Sequence, residues 1–433
     1  MRYGYQFGFF NAINFQIATG TPLILFAKSL GASATVLGIL ASLLPLFTFL
    51  QIPAAGYLPR FGYRKFMLLG WGLRTIMVFA LAGIPLLLFV DAPTKVALIL
   101  FLLVIFSVLR GISAGVWWPW ITELLPKEQR GNYLSGEQLS VHGGSLAALG
   151  VSALTLQFLP DPYRYSAIFF LSAFAGVISL YSLKNMPDVL LAGSLKQSSH
   201  PVPWRAIIGF LPFRKLLLFG GLWSVATSSL ITFTVAFTRE SLHYNESNIV
   251  YLSLFVFLGA LTTLPFTARF INKIGVKGAL YLTTFFTGCV ALGWLTLAAG
   301  VWHGNWWTVA LLNFGFGMAT ANFAVANASV VMGIFPVMGR NHFFALYTVT
   351  TSLITALAPI FFGILIDALR RVSGQWGAWA INPYSIYFFI SIALLVITCL
   401  TVSILKTHEI GDLNHRDFTI LASLRRFGRL LHR

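Results

Sequence analysis

The stretch GYLPRFGYRK, residues 56–65, places three basic side chains and two glycines between two long apolar runs. The flanking runs cover roughly 33–57 and 66–90. A helix needs about 20 apolar residues to cross the hydrocarbon core of a bilayer. Lys and Arg are enriched in cytoplasmic loops of membrane proteins. The pattern therefore predicts two membrane-spanning helices joined by a short cytoplasmic loop.

The composition of the chain extends this interpretation to its whole length. Hydrophobic residues make up 57% of the 433 residues, and charged residues make up only 9%. A soluble domain carries about 25% charged residues. Both cysteines, Cys289 and Cys399, lie in apolar runs and form no disulfide or metal-binding pattern. The first 20 residues lack a cleavable signal pattern and are predicted to start the first span.

Twelve apolar runs recur along the chain, and backbone groups in lipid require each to be a helix. A lipid-facing barrel would show short alternating segments, which are absent from this sequence. The sequence thus predicts an all-α membrane protein with twelve transmembrane helices. The predicted spans are 5–27, 33–57, 66–90, 96–122, 131–158, 165–184, 213–238, 247–270, 277–300, 306–335, 341–368 and 384–406.

A long polar interruption divides the predicted spans into two sets of six. We predict an N-terminal six-helix bundle at 1–184, a central cytoplasmic loop at 185–212 and a C-terminal six-helix bundle at 213–406. The basic cytoplasmic tail, 407–433, ends in LASLRRFGRLLHR. This tail has the composition of an amphipathic segment that lies on anionic lipid, and a solvated disordered tail is the alternative.

The basic residues are distributed unequally between the two sides of the predicted membrane. With the N-terminus in the cytoplasm, the outer loops hold 6 of the 29 Lys and Arg residues and the cytoplasmic side holds 21. The asymmetry predicts a cell-membrane protein with both termini in the cytoplasm. It also accounts for the net charge of +17 without nucleic-acid binding.

The two halves share loop signatures at nearly constant offsets. Pro126 and Arg130 precede span 5 as Pro336 and Arg340 precede span 11, 210 residues later, with the same three-residue spacing. The Gly-x-basic pattern that starts at Gly62 recurs 213 residues later. A duplicated six-helix unit explains both offsets, and chance similarity of short basic loops is the alternative. Such repeats are typical of secondary transporters with a midplane substrate site.

With these motifs the chain resembles the major facilitator superfamily. The loop after span 2 is similar to the family's signature through Gly56, Leu58, Arg60, Gly62, Arg64 and Lys65. ELLPKEQRG after span 4 is similar to the family's Glu-x6-Arg pattern, and APIFFGILID at 358–367 resembles its eleventh helix. Pro59 stands near the position of an Asp that, in the family, helps to hold the cytoplasmic gate shut. The resemblance therefore implies that closure of this gate differs in this chain. The family's Arg-x-x-Gln-Gly motif is only loosely matched after Arg110, and span 5 lacks the Gly-Pro pair of drug/proton antiporters.

The resemblance implies two six-helix bundles related by pseudo-two-fold symmetry, which work by alternating access. It further implies that the first and fourth helices of each half line a central cavity. Its cytoplasmic gate would be formed by Arg60, Gly62, Arg64, Glu123, Arg130, Lys277 and Arg340. The alternative is that these charges only set the topology.

Arg110 is the most unusual residue of the spans, because it lies near the middle of span 4. A mid-membrane charge is costly unless it faces protein or water. We expect it to face the cavity, and a purely structural, paired arginine is the alternative. The predicted substrate-binding residues are Arg110, Asn14, Gln16, Trp117, Asn322 and Asn327. Interhelical hydrogen bonding for the amides, and an interfacial belt for the tryptophans, are the alternatives.

Glu137 and His142 are the titratable side chains of span 5 nearest to mid-membrane, and they are candidates for proton coupling. Folding spans 4 and 5 about Lys127 places Glu137 level with Trp117, too far along the axis to bridge directly to Arg110. The alternatives are a capping or gate role for Glu137 and a packing role for His142.

No enzyme motif, phosphate-binding loop or metal-ligand spacing occurs in the sequence, so we expect neither catalysis nor a cofactor. The predicted function is secondary active transport of a small neutral polar or anionic solute by a monomer, with possible proton coupling. Two rivals remain: a non-transporting sensor or assembly factor with the same fold, and a lipid or amphiphile flippase.

Overall fold

The computed structural model describes residues 2–55, 57–125, 127–188, 208–334 and 340–405. Within these ranges, twelve helical segments are long and apolar enough to cross a membrane. Each coincides with one predicted span, with ends that differ by up to five residues except at the start of span 9, which lies eight residues earlier than predicted. The spans are Arg2–Ser29, Ala34–Ala54, Tyr63–Leu86, Ala92–Ile121, Gly136–Phe158, Tyr163–Lys184, Leu211–Glu240, Glu246–Thr267, Arg269–Ala298, Trp306–Val331, Phe343–Ala368 and Pro383–Val402.

Several spans are built from more than one helix. The α-helices run Arg2–Thr19, Thr21–Ser29, Ala34–Leu46, Gln51–Ala55, Leu58–Phe61, Tyr63–Gly83, Ala92–Ala114, Trp117–Leu124, Lys127–Phe158, Tyr163–Lys184, Leu211–Thr227, Leu230–Glu240, Glu246–Ala298, Trp306–Ile334, Arg340–Ala368 and Pro383–Val402. Short 3-10 turns at Phe47–Leu50 and Ile84–Leu86 complete the second and third spans. The break in span 4 precedes Pro119, whose missing N–H leaves the carbonyl of Gly115 without its helical partner.

Polar caps start the spans that follow tight turns. Asp91 caps span 4 by accepting a hydrogen bond from the backbone N–H of Thr94. Hydrogen bonds from the Thr94 side chain and backbone lower the pKa of this exposed carboxyl below its ordinary value. Asn382 and Ser385 form a capping box at the start of span 12. These side chains satisfy N–H groups that have no partner inside the helix.

Two glycines with left-handed backbone occupy corresponding loops of the two halves. Gly62 has φ 73° and ψ 163°, and Gly275 has φ 76° and ψ 157°. Residues with a side chain rarely adopt such a positive φ. Gly275 turns the chain between spans 8 and 9 within one otherwise continuous helical segment. The recurring loop signature in the sequence thus corresponds to a recurring backbone conformation.

A small β-hairpin between spans 11 and 12 was not predicted. Its strands, Gly374–Trp376 and Trp379–Ile381, pair antiparallel. The backbone N–H of Ala380 donates to the carbonyl of Ala299, and the Asn382 side chain donates to the carbonyl of Ala298. The hairpin is thereby fixed to the end of span 9.

The chain divides into two compact units. The first contains the described residues of Met1–His200 together with Thr238–Leu254, and the second contains Pro201–Phe237 with Phe255–Arg433. The core of unit 1 is rich in aromatic rings from spans 1, 3 and 4, among them Phe7, Trp71, Trp117 and Trp120. The core of unit 2 contains the stacked rings of Trp223 and Phe323, whose centroids are 3.5 Å apart. The predicted boundaries at 184 and 213 stay a prediction.

Glycines bring pairs of helix backbones into direct contact in both units. A Cβ atom on Gly111 of span 4 would lie 2.1 Å from the carbonyl oxygen of Phe47 in span 2. In unit 2, a Cβ atom on Gly317 of span 10 would lie 1.8 Å from the carbonyl oxygen of Val256 in span 8. Only glycine allows such an approach. Equivalent pairs of spans are therefore closely packed in the two halves.

Candidate functional site

Arg110 lies inside unit 1, with its guanidinium group against the first span. It follows the start of span 4 by eighteen residues and precedes its end by eleven, so its Cα atom lies off-centre. The side chain reaches Phe15, the middle residue of span 1, and its Cζ atom is 5.0 Å from the ring centroid. None of the salt bridges formed by the described residues includes Arg110. Its charge is thus held near mid-membrane by an aromatic face.

Glu137 and Trp117 form a direct hydrogen bond between spans 5 and 4. Trp117 Nε1 donates to Glu137 Oε1 at 2.8 Å, which confirms the predicted level of the two residues. Glu137 Oε2 is buried and has no hydrogen-bond partner among the described residues. The helix starts at Lys127, ten residues earlier, so the alternative of a capping role for Glu137 was wrong. A buried carboxyl group with one unused oxygen is suited to gain and lose a proton.

Trp117 and Trp120, which follow Arg110, are packed inside the protein instead of forming an exposed belt. The Trp117 ring packs against Phe7 with a centroid separation of 4.6 Å. Trp120 is fully buried, and its Nε1 donates to the carbonyl of Pro187. The Trp118 side chain lies outside the described part of the structure. The belt alternative was therefore wrong for Trp117 and Trp120.

His142 and Gln16 are half-buried on spans 5 and 1. His142 follows Glu137 by five residues, which is about 7.5 Å along a helix axis. Their proposed roles in proton coupling and substrate binding stay predictions.

The span 1 amide Asn14 is committed to packing between helices. It is fully buried, and its Nδ2 donates to the backbone carbonyl of Ser172 in span 6 at 2.9 Å. Ser172 in turn donates to the carbonyl of Asn14. These two hydrogen bonds join spans 1 and 6. Interhelical hydrogen bonding was the alternative to a substrate-binding role for Asn14.

The span 10 amides of unit 2 also have protein partners. Asn322 donates to Thr263 and accepts a hydrogen bond from Thr267, both in span 8. Asn327 and the Tyr347 hydroxyl of span 11 are within hydrogen-bonding distance. These bonds join spans 8, 10 and 11, and a substrate could bind here only by exchanging them.

The predicted gate residues are distributed over several loops. Arg64 Nε lies 3.4 Å from the carboxylate of Asp188, just after span 6. Lys277 donates to the carbonyl of Ser403 at 2.9 Å. Arg60 and Glu123 are exposed, and Gly62 turns the chain before span 3. Arg130 and Arg340 lie in described helices, but their side chains lie outside the described residues, as do Pro126 and Pro336.

Arg74 is a second buried arginine, which the sequence analysis left without a role. It lies at the centre of span 3 and is only 1% exposed. Its Nη2 donates to Asn11 Oδ1 at 2.5 Å, and Trp71 Nε1 donates to the same oxygen at 2.9 Å. Its Cζ atom lies 5.1 Å from the ring centroid of Phe106 in span 4. The sequence could have singled out Arg74, because charged residues at the centre of a membrane span are rare.

A cluster of ion pairs, the rim cluster, lies at the end of unit 1 opposite the Gly62 loop. Lys28 of span 1 pairs with Glu240 at the end of span 7. Glu246, at the start of span 8, pairs with Arg164 at 3.2 Å and with Arg239 at 3.3 Å. Glu246 is 3% exposed, whereas Glu240 is much more accessible to solvent. The cluster fastens segment Thr238–Leu254 to spans 1 and 6 within unit 1.

We expect Glu246→Gln to lower the thermal stability of the purified protein much more than Glu240→Gln. The first change removes the shared, buried anion of two arginines, with an expected cost of about 3 kcal/mol, the low end for a buried pair because both arginines are partly exposed. The second removes one partner of a partly exposed pair, which is worth about 0–1 kcal/mol. Melting temperatures in detergent measure both. Equal shifts for the two variants would contradict the assigned role of Glu246.

The comparison with known families agrees with this architecture. The model of the Major Facilitator Superfamily matches residues 7–320, which is more than half of the chain. The chain belongs to the Major Facilitator Superfamily. As a superfamily member it is a multi-pass membrane transporter of small solutes and not an enzyme. No curated protein matches it in sequence.

Solved structures of superfamily transporters share the fold of this chain. A mutant of the nucleoside transporter NupG is similar with a TM-score of 0.71 and 11% identity, covering 93% of this chain and 99% of that chain. The xylose transporter XylE from E. coli is similar with a TM-score of 0.67 and 15% identity, covering 98% of this chain and 97% of that chain. A bacterial homologue of the iron transporter ferroportin is similar with a TM-score of 0.68 and 13% identity, covering 93% of this chain and 96% of that chain. At these identities the likeness concerns the two-bundle fold alone.

Proposed function

We propose that this transporter moves a small organic anion by alternating access between the two bundles, with Arg110 as the counter-charge. The observation that carries the proposal is the Arg110 guanidinium group, which packs on Phe15 near mid-membrane and forms no salt bridge among the described residues. A guanidinium group matches a carboxylate or phosphate through two parallel hydrogen bonds. An anionic solute would supply the counter-charge that the described residues do not.

A neutral polar solute bound by the span 1 and span 10 amides is the second candidate from the sequence. Asn14, Asn322 and Asn327 already have protein partners. Asn14 Oδ1 has no hydrogen-bond partner among the described residues, but it is fully buried, so a neutral solute would have to replace the interhelical bonds. It would also leave Arg110 without a counter-charge. The contacts therefore favour the anion.

We further propose that proton movement is coupled to anion movement through Glu137. In unit 1, Arg74 and Arg110 are two positive charges near the centre of the spans. Glu137 is connected to Arg74 through the packed rings of Trp117, Phe7 and Trp71. Protonation of Glu137 removes the negative charge that competes with an anion for their field. Because linkage is reciprocal, the bound anion then favours the protonated carboxyl to the same extent. This arrangement corresponds to symport of a proton with an anion.

The experiment that tests the proposed substrate class is thermal stabilisation by a panel of sugars, organic anions, amino acids, nucleosides and amphiphiles. A ligand at 100 times its Kd should stabilise the protein by about 2.7 kcal/mol. We expect an organic anion to stabilise the wild type and Arg371→Ala, which changes an exposed arginine, but not Arg110→Ala. A neutral solute that stabilises all three proteins equally would overturn the proposed role of Arg110. Saturable uptake of the same compound into proteoliposomes then separates transport from sensing.

The orientation is also proposed, with the protein in the cell membrane, both termini in the cytoplasm, and a monomer as the working unit. The unequal distribution of basic loop residues supports it. Labelling single cysteines introduced at Arg60 and Arg371 with a membrane-impermeant reagent in whole cells tests it. Only the second position should react.

A further inference from the structure

The guanidinium groups of Arg74 and Arg110 are held by the same two helices. Arg74 bonds to Asn11 of span 1 and lies over Phe106 of span 4. Arg110 extends from span 4 to lie over Phe15 of span 1. Asn11 and Phe15 are one helical turn apart, as are Phe106 and Arg110. Both guanidinium groups therefore lie against the same stretch of spans 1 and 4.

No salt bridge among the described residues neutralises this pair of positive charges. Neither arginine takes part in the salt bridges of the described residues. Arg74 Nε is buried and has no hydrogen-bond partner there. The nearby polar atom, Asn11 Oδ1, is a neutral acceptor that is shared with Trp71. Two like charges in a low-dielectric interior repel each other, and a compact anion bound to Arg110 would offset that cost.

We propose that Arg74 and Arg110 together select a solute whose head group carries two negative charges on one compact centre, as a phosphate monoester does. The inference rests on the proposed transport of an organic anion and specifies its charge. Arg110, which is half-buried, supplies the direct contact. Arg74, fully buried behind it, is a specificity-determining residue that acts through its charge. Because the electrostatic gain is proportional to the ligand's charge, the second arginine favours a dianion over a monoanion of equal shape.

A matched pair of probes tests the inference without knowledge of the natural solute. Methyl phosphate is a dianion at pH 8, because the second pKa of a phosphate monoester is about 6. Methyl sulfate has nearly the same shape and carries one charge. Thermal stabilisation of the purified protein at matched ionic strength gives the apparent affinity for each. We expect methyl phosphate to act at concentrations about tenfold lower, or more, in the wild type and in the control Arg371→Gln.

Two variants remove the charge effect of Arg74 by different routes. Arg74→Gln deletes the charge, and Asn11→Asp neutralises it in place while keeping an oxygen for the existing hydrogen bond. We expect the phosphate-to-sulfate affinity ratio to fall in both, because the dianion loses more than the monoanion when one of the two positive charges is removed. Arg74→Lys should keep the preference. If Arg74→Gln does not fold, Asn11→Asp still gives the answer.

A purely structural Arg74 would change the melting temperature of these variants but leave the affinity ratio as in the wild type, and that result would overturn the inference. A wild-type ratio near one, or no response to either probe, would overturn it too. The solute panel separates these failures from failure of the proposed function. An organic anion that stabilises the protein through Arg110 but shows no preference for two charges would leave anion transport standing. Succinate, with two separated charges, should not replace methyl phosphate.

Discussion

Replacing Gly317 with alanine is expected to destabilise unit 2 by about 3 kcal/mol or more and to lower the melting temperature by about 5–10 °C. The added Cβ atom would lie 1.8 Å from the backbone carbonyl oxygen of Val256. A backbone atom cannot move aside as the end of a flexible side chain can. A Cβ atom on Gly259 would likewise lie 2.0 Å from the carbonyl oxygen of Phe314, so the backbones of spans 8 and 10 are closely packed at two neighbouring levels.

A second glycine in the same unit provides the control for this prediction. Gly288 lies in span 9, and a Cβ atom there meets nothing within 4 Å. Gly288→Ala should therefore leave the melting temperature unchanged or raise it slightly, because alanine favours the helix by up to about 1 kcal/mol. Intact thermal stability of Gly317→Ala would show that spans 8 and 10 are not packed backbone to backbone.

Under the proposed coupling, Glu137→Gln is expected to abolish accumulation of the proposed anionic solute driven by a pH gradient, while exchange of internal for external solute persists. Glutamine keeps the acceptor for Trp117 Nε1 but cannot carry an exchangeable proton. It also fixes the site in the neutral form that favours anion binding. Uptake into proteoliposomes with and without an imposed gradient measures the driving force, and counterflow of labelled anion measures exchange.

The same substitution at an exposed carboxylate separates coupling from general damage. Glu123→Gln changes a solvent-exposed residue of the predicted gate and should alter the rate of transport at most. It should leave gradient-driven accumulation in place. Equal loss of accumulation and exchange in Glu137→Gln would refute proton coupling through this residue and assign it to the folding or gating of unit 1.

The fold could be predicted from the sequence because a helix needs an apolar run of about 20 residues to cross the bilayer, and such runs can be recognised along the chain. The constant rise of a helix predicted that Glu137 lies at the same depth as Trp117, because residues on two antiparallel helices can be matched by counting from their turn. Counting residues does not define which way a side chain extends. Arg110 lies off-centre in span 4, but its head group reaches the middle of span 1.

The pairing of polar groups between distant spans could not be predicted. Asn14 is bonded to Ser172, and Glu246 shares its carboxylate between two arginines, only because folding brings their spans together. A single sequence shows which residues are costly in lipid, but it does not show which partners satisfy them. For that reason Arg74 could be noticed in the sequence without being given a role.

The hydrogen bond between Arg74 and Asn11 has a consequence for biogenesis. An arginine at the centre of a helix opposes its insertion by about 2.5–3.5 kcal/mol, and span 3 is less hydrophobic than span 4, with mean hydropathy of 1.7 against 2.6. Span 1 leaves the ribosome first, so the Asn11 acceptor is already in the membrane when span 3 arrives. Span 3 is therefore expected to enter the bilayer alongside its earlier neighbour, which makes the order of synthesis part of how this chain reaches its topology.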